Sequence, residues 1–145
     1  MKKLLVAISA FGIAATAAFA GPADDREALM KERGKIVGEL SKMAKGETPF
    51  DAAAITAAFQ TLQANAAKGA DVAALWPEGS IGDTEASPKI WEDAAGFQAA
   101  ADKFKADVDG VVAAGAPADA AALGAAFGKV AANCGSCHES FRIKK

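Results

Sequence analysis

Residues 118–142 read ADAAALGAAFGKVAANCGSCHESFR. Alanine dominates and β-branched residues are few, a composition that favours helix over strand. Leu123, Phe127, Val130, Cys134 and Phe141 fall along one line at helical spacing, and Gly115-Ala116-Pro117 breaks the chain just before them. The expected element is therefore a helix from about Ala118 to Arg142. Its last two turns hold Cys134-Gly135-Ser136-Cys137-His138, which contains both cysteines and the single histidine of the chain.

Upstream of this helix the same vocabulary repeats three times. Pro22 and Asp24-Asp25 suit a helix start, since proline fits the first turn and acids favour the positive end of the helix dipole. From there Leu29, Ile36, Leu40 and Met43 mark a stripe running to about Lys45, with Met30, Gly34, Val37 and Ala44 forming a second line beside it. Gly46 stops the first helix and Glu47-Thr48-Pro49 connects it onward. A second helix starts at Asp51, an N-cap residue, and reaches about Lys68, burying Ile55, Phe59, Leu62 and Ala66. Gly69 to Ser87 is irregular. Ser87-Pro88 then opens a third helix of about six turns, whose stripe is Ile90, Trp91, Ala94, Phe97, Ala101, Phe104, Val108 and Val111. Four amphipathic helices with mostly short connections predict an all-α fold, an antiparallel up-down four-helix bundle.

The first 20 of the 145 residues stand apart. Lys2-Lys3, the apolar run Leu4 to Phe19 and the small-residue end Ala18-Phe19-Ala20 have the order of a secretory signal peptide. Cleavage after Ala20 leaves residues 21–145, 125 residues with 14 basic and 18 acidic side chains, the size of one domain. A mildly acidic chain without a basic cluster is a poor nucleic-acid binder. No later apolar run approaches the roughly 18 residues of a membrane span. One histidine excludes a multi-histidine metal site. Export implies an oxidising compartment, where two cysteines ordinarily read as a disulfide.

Cys134, Cys137 and His138 carry the sharper meaning. Cys-x-x-Cys-His is the attachment sequence for haem c: two thiols bond the macrocycle and the adjacent imidazole reaches the iron from the same side. The competing readings fit less well. A thioredoxin-like redox pair needs its first cysteine at a helix N-terminus after a strand, and no strand is expected here. A zinc site lacks a fourth ligand. A disulfide at i, i+3 would strain a helix and leave His138 unexplained.

The position of the motif, seven residues from the end and on the last of four helices, resembles the class II cytochromes c, the cytochrome c′ family. The resemblance extends over Gly46-Glu47-Thr48-Pro49-Phe50-Asp51, Pro88-Lys89-Ile90-Trp91 and Cys134 to Arg142. It implies one covalently bound haem c inside the bundle, His138 as proximal iron ligand, and a periplasmic location. The family has two branches. In the high-spin branch the iron has only the proximal histidine and binds gases such as nitric oxide. In the low-spin branch, the cytochrome c-556 type, a first-helix methionine is the sixth ligand and the protein carries electrons. Arg26-Glu27-Ala28-Leu29-Met30-Lys31 looks like the low-spin version, with Met30 in the matching place, and Arg142 resembles the family's proximal arginine.

The residues around Met30 agree with that assignment. Gly34, one turn on, leaves room beside a flat macrocycle, and Arg26 and Arg33 share the Met30 face as candidates to pair with haem propionates. Met43 lies about 20 Å further along and about 140° around the helix, so it reads as core. Phe127 and Val130 are expected to line the pocket, and Trp76 and Trp91 to be structural. The resulting expectation is a periplasmic electron carrier and not an enzyme. Its partners would be redox proteins, and the chain would be a monomer or a homodimer.

Overall fold

The computed structural model describes residues 21–82 and 84–143; the expected signal peptide, residues 1–20, lies outside them. Six α-helices follow one another: α1 Pro22–Ala44, α2 Ala52–Ala70, α3 Val72–Leu75, α4 Lys89–Glu92, α5 Ala94–Ala114 and α6 Ala120–Phe141. Among the described residues there is no strand, only a single antiparallel bridge between Ala86 and Arg142. The four long helices form the expected bundle. Each of α2 and α6 packs on both α1 and α5, which closes a ring in the order α1, α2, α5, α6.

Side chains at the helix starts explain the boundaries. Asp51 accepts from the amides of Ala53 and Ala54 at 2.9 and 3.0 Å, and Asp119 accepts from Ala122 at 2.8 Å. The irregular stretch after α2 contains one short helix, α3, whose Ala74 amide is capped by Asp71 at 3.1 Å. The expected third helix is interrupted. At Asp93 the backbone turns to φ −125° and ψ 58°, ending α4, and the Asp93 carboxylate accepts from the Gly96 amide at 3.0 Å to start α5. Gly96 makes this possible, because a Cβ there would collide with the Asp93 carboxylate. The apolar stripe runs unbroken through the interruption, which is why periodicity alone reads a single helix.

The interior has two apolar parts. Ile36, Leu40, Ile55, Phe59, Leu62, Ala66, Phe104, Val108, Val111, Leu123 and Val130 form the larger, with Met43 packed against it as expected. Ala86, Ile90, Phe97 and Phe141 form the smaller, together with Trp76, Trp91 and Cys137. Here aromatic edges meet faces: Trp76 lies 6.4 Å from Trp91 and 5.2 Å from Phe97, which lies 5.1 Å from Phe141. The Trp91 indole N–H donates to the Trp76 carbonyl at 3.0 Å. Both tryptophans are thus packing residues.

Candidate functional site

A cavity of about 700 Å³ draws its walls from both apolar parts, a size within the range of cofactor sites, roughly 300–1,000 Å³. Helix α6 brings Cys134, Cys137 and His138 to it, and α1 brings Arg26, Met30, Arg33 and Gly34. The motif lies wholly within α6, so Cys134 and Cys137 are separated by one helical turn, and they are not joined to each other. The pair lies in the last turns of its helix and not at its N-terminus, and burial pushes the Cys137 thiol above its ordinary pKa, with the Arg33 charge opposing. Both features are the reverse of an activated redox cysteine. Burial, then the charges of Arg142 and Arg33, hold the His138 imidazole below its ordinary pKa, which favours the neutral form that binds metal.

Met30 is 43% exposed although it lines the cavity. It is not among the residues packed against the larger core, as Met43 is. A Cβ added at Gly34 would meet nothing within 4 Å, so this turn of α1 leaves a flat wall.

Arg26 is 5% exposed. Its Nη1 donates to the Leu75 carbonyl at 2.8 Å and the Ser80 hydroxyl at 3.0 Å, and its Nη2 to the carbonyls of Ser80 and Ile81. The guanidinium lies 4.1 Å from the Trp76 ring centroid. All four acceptors are neutral, and Nε is buried without a partner. A buried guanidinium that meets only neutral oxygens at a cavity wall calls for an anion. Arg33 also lines the cavity; its Nε donates to Asn65 Oδ1 at 2.9 Å and its guanidinium lies 4.2 Å from the Phe104 ring. Gly69 permits that position, since a Cβ there would come within 2.7 Å of Arg33 Nη2.

Two expected lining residues are placed elsewhere. Val130 is 1% exposed inside the larger core and Phe127 packs against the same core; neither borders the cavity. Both belong to the packing of the larger core, and Phe97, Phe104 and Phe141 supply the aromatic walls instead.

On the other side of His138 the chain leaves α6 and is fastened to residues 85–87. Ser87 N–H donates to the Phe141 carbonyl at 3.0 Å, Ile143 N–H donates to the Glu85 carbonyl at 2.8 Å, and Arg142 Nε donates to Glu85 Oε2 at 2.6 Å. Sequence reasoning missed Glu85 and the two buried asparagines, Asn65 and Asn133. The asparagines had a signal: each stands three residues after a buried apolar residue, Leu62 and Val130, so each is a polar residue on an apolar face.

A four-helix bundle whose last helix carries Cys-x-x-Cys-His into an internal cavity is the architecture of a class II c-type cytochrome. The family profile described as Cytochrome C′ matches residues 22–142, and the chain belongs to that family. It is 39% identical to cytochrome c-556 of Agrobacterium fabrum (strain C58 / ATCC 33970) over 145 residues, 99% of this chain and 97% of that protein. The structure of cytochrome c′ from Rhodopseudomonas palustris superposes with a TM-score of 0.77 at 35% identity, covering 87% of this chain and 98% of that one. A nitric oxide complex of a mutant cytochrome c prime from Alcaligenes xylosoxidans gives 0.70 at 32% identity, covering 87% and 99%. As in this family, the protein carries one covalently attached haem c.

Proposed function

We propose that this cytochrome is a periplasmic carrier of single electrons, exported by residues 1–20, with haem c bonded to Cys134 and Cys137 and its iron ligated by His138 and Met30. The observation that carries the reading is that Met30 of α1 lines the same cavity as Cys134, Cys137 and His138 of α6. Likeness to a cytochrome c-556 over nearly the full length of both chains supports it.

The bound group supplies a one-electron Fe(III)/Fe(II) couple. The chain does the rest. Met30 offers a soft sulfur that favours the reduced iron and raises the potential. His138 is kept neutral and ready to ligate by burial and two neighbouring cations. Arg26 brings a buried positive charge to the cavity wall, which a propionate there would balance. Phe97, Phe104 and Phe141 give the site aromatic walls. Met30 and His138 would hold the iron in both of its oxidation states, so neither side chain would need to move for a one-electron exchange. His138, the chain's one histidine, would be held by the iron and so would not carry protons there. The partners of such a protein are other redox proteins.

A second reading is a five-coordinate iron open to nitric oxide or carbon monoxide, with Met30 only facing it. The likeness to a cytochrome c prime solved as a nitric oxide complex favours this one. The sixth ligand discriminates. In the first reading the oxidised protein shows the far-red sulfur-to-iron charge-transfer band, and Met30→Ala abolishes it while leaving the haem covalently bound. A protein without that band belongs to the second reading.

A further inference from the structure

The α2 face that packs into the bundle carries one polar side chain, Asn65, which is 1% exposed. Its amide is spent on α1. Nδ2 donates to the Leu29 carbonyl at 3.0 Å and to Glu32 Oε2 at 2.8 Å, and Oδ1 accepts from Arg33 Nε at 2.9 Å. These three residues stand one before, two after and three after Met30. A bond to a side chain alone would let the helix swivel, but the Leu29 bond is to backbone and fixes the turn itself. Arg33 extends the fastening, since its guanidinium rests on the Phe104 ring of α5. Burying an amide costs free energy unless every polar atom is satisfied, and an apolar side chain would fill the same space without that demand. Asn65 does not line the cavity; what it holds is the direction in which α1 presents its second line of side chains.

We propose that Asn65 is a positioning residue for Met30: by fastening residues 29–33 of α1 to α2, it sets how long the thioether stays on the iron and so how readily a gas takes that place. The proposal rests on the reading of Met30 as the sixth ligand. It gives α2, which contributes no ligand, control over the balance between electron carriage and gas binding.

The test is the rate at which carbon monoxide binds the reduced holoprotein, with Asn65→Leu and Asn65→Asp each made in the Met30 and the Met30→Ala backgrounds. With Met30 present, Asn65→Leu should speed binding by about ten-fold, a modest share of what its three lost hydrogen bonds contribute. Without Met30 the same change should alter the rate less than about two-fold, because no thioether has to leave. Asn65→Asp keeps the volume and the Arg33 contact but loses both Nδ2 donations, and should act in the same direction if the leucine variant does not fold. Equal acceleration in both backgrounds means that Asn65 only loosens the cavity, and overturns the proposal. No acceleration in either also overturns it. An unsubstituted protein that binds the gas as fast as Met30→Ala overturns the reading of Met30 itself, and the positioning role with it.

Discussion

Arg26 has five N–H donors, and four of them hold the segment from Leu75 to Ile81. Replacing it removes a buried cation, its bonds to three carbonyls and the stacking on Trp76 together. Arg26→Ala should therefore lower stability by about 2–4 kcal/mol and move the tryptophan emission to longer wavelength, as measured by denaturation and fluorescence. A second polar knot sits where α5 meets α6. Asp107 Oδ2 receives Lys103 Nζ at 2.6 Å and Asn133 Nδ2 at 2.9 Å, and Lys129 lies 3.6 Å from Oδ1. The hydrogen bond from Lys103, then that from Asn133, lower the Asp107 carboxyl to about 2. An unfolded aspartate titrates near ~3.9. A depressed carboxylate stabilises the fold above its unfolded pKa and loses that contribution as pH falls through the folded one. The stability difference between the native protein and Asp107→Asn should be level above about pH 5, shrink between about pH 4 and 2, and diminish with added salt, since Lys103 is largely exposed. Unfolding midpoints across that pH range check it.

At the scale of elements, the break at Asp93 shows where reading a sequence succeeds and where it stops. The four long helices were legible because each repeats a stripe at 3.6-residue period between glycine or proline stops, and Asp51 announced its own cap. The interruption between α4 and α5 was not, since Ile90, Phe97 and Phe104 stay on one face across it. It depends on a carboxylate folding back over a glycine three residues on. Gly96→Val should strain that cap by the clash its Cβ makes with Asp93, and Asp93→Ala should cost about 1 kcal/mol through loss of the cap; loss of helix on heating, followed by circular dichroism, measures both. The site divides the same way. The Cys134–His138 motif is local in sequence and was read directly, as were Met30 and Gly34 at the cavity. Phe127 and Val130 were misplaced because helical spacing from Cys134 gives a face but not the width of the cavity. Asn65 acts on Leu29, Glu32 and Arg33 from 32 to 36 residues away, a relation that appears only once α1 and α2 are packed.

The whole molecule separates stability from chemistry along the bundle. The larger core lies among α1, α2, α5 and α6, and the cavity lies where that core gives way to the smaller aromatic cluster. Leu123, fully buried in the larger core and absent from the cavity wall, is a test of this division. Leu123→Ala should cost about 2–5 kcal/mol in unfolding free energy and leave the haem spectrum unchanged. Among the described residues no helix is long and apolar enough to cross a membrane. The Glu85–Arg142 pair and the two backbone bonds beside it fasten the chain just after His138, while α1 brings Met30 to the cavity from a neighbouring helix. The central claim is that these two side chains both hold the iron. The optical spectrum of the reduced protein, recorded before and after addition of carbon monoxide, tests it most directly. Sharp, split low-spin bands that the gas leaves in place are the expected result; a broad high-spin spectrum that shifts at once with carbon monoxide would contradict it.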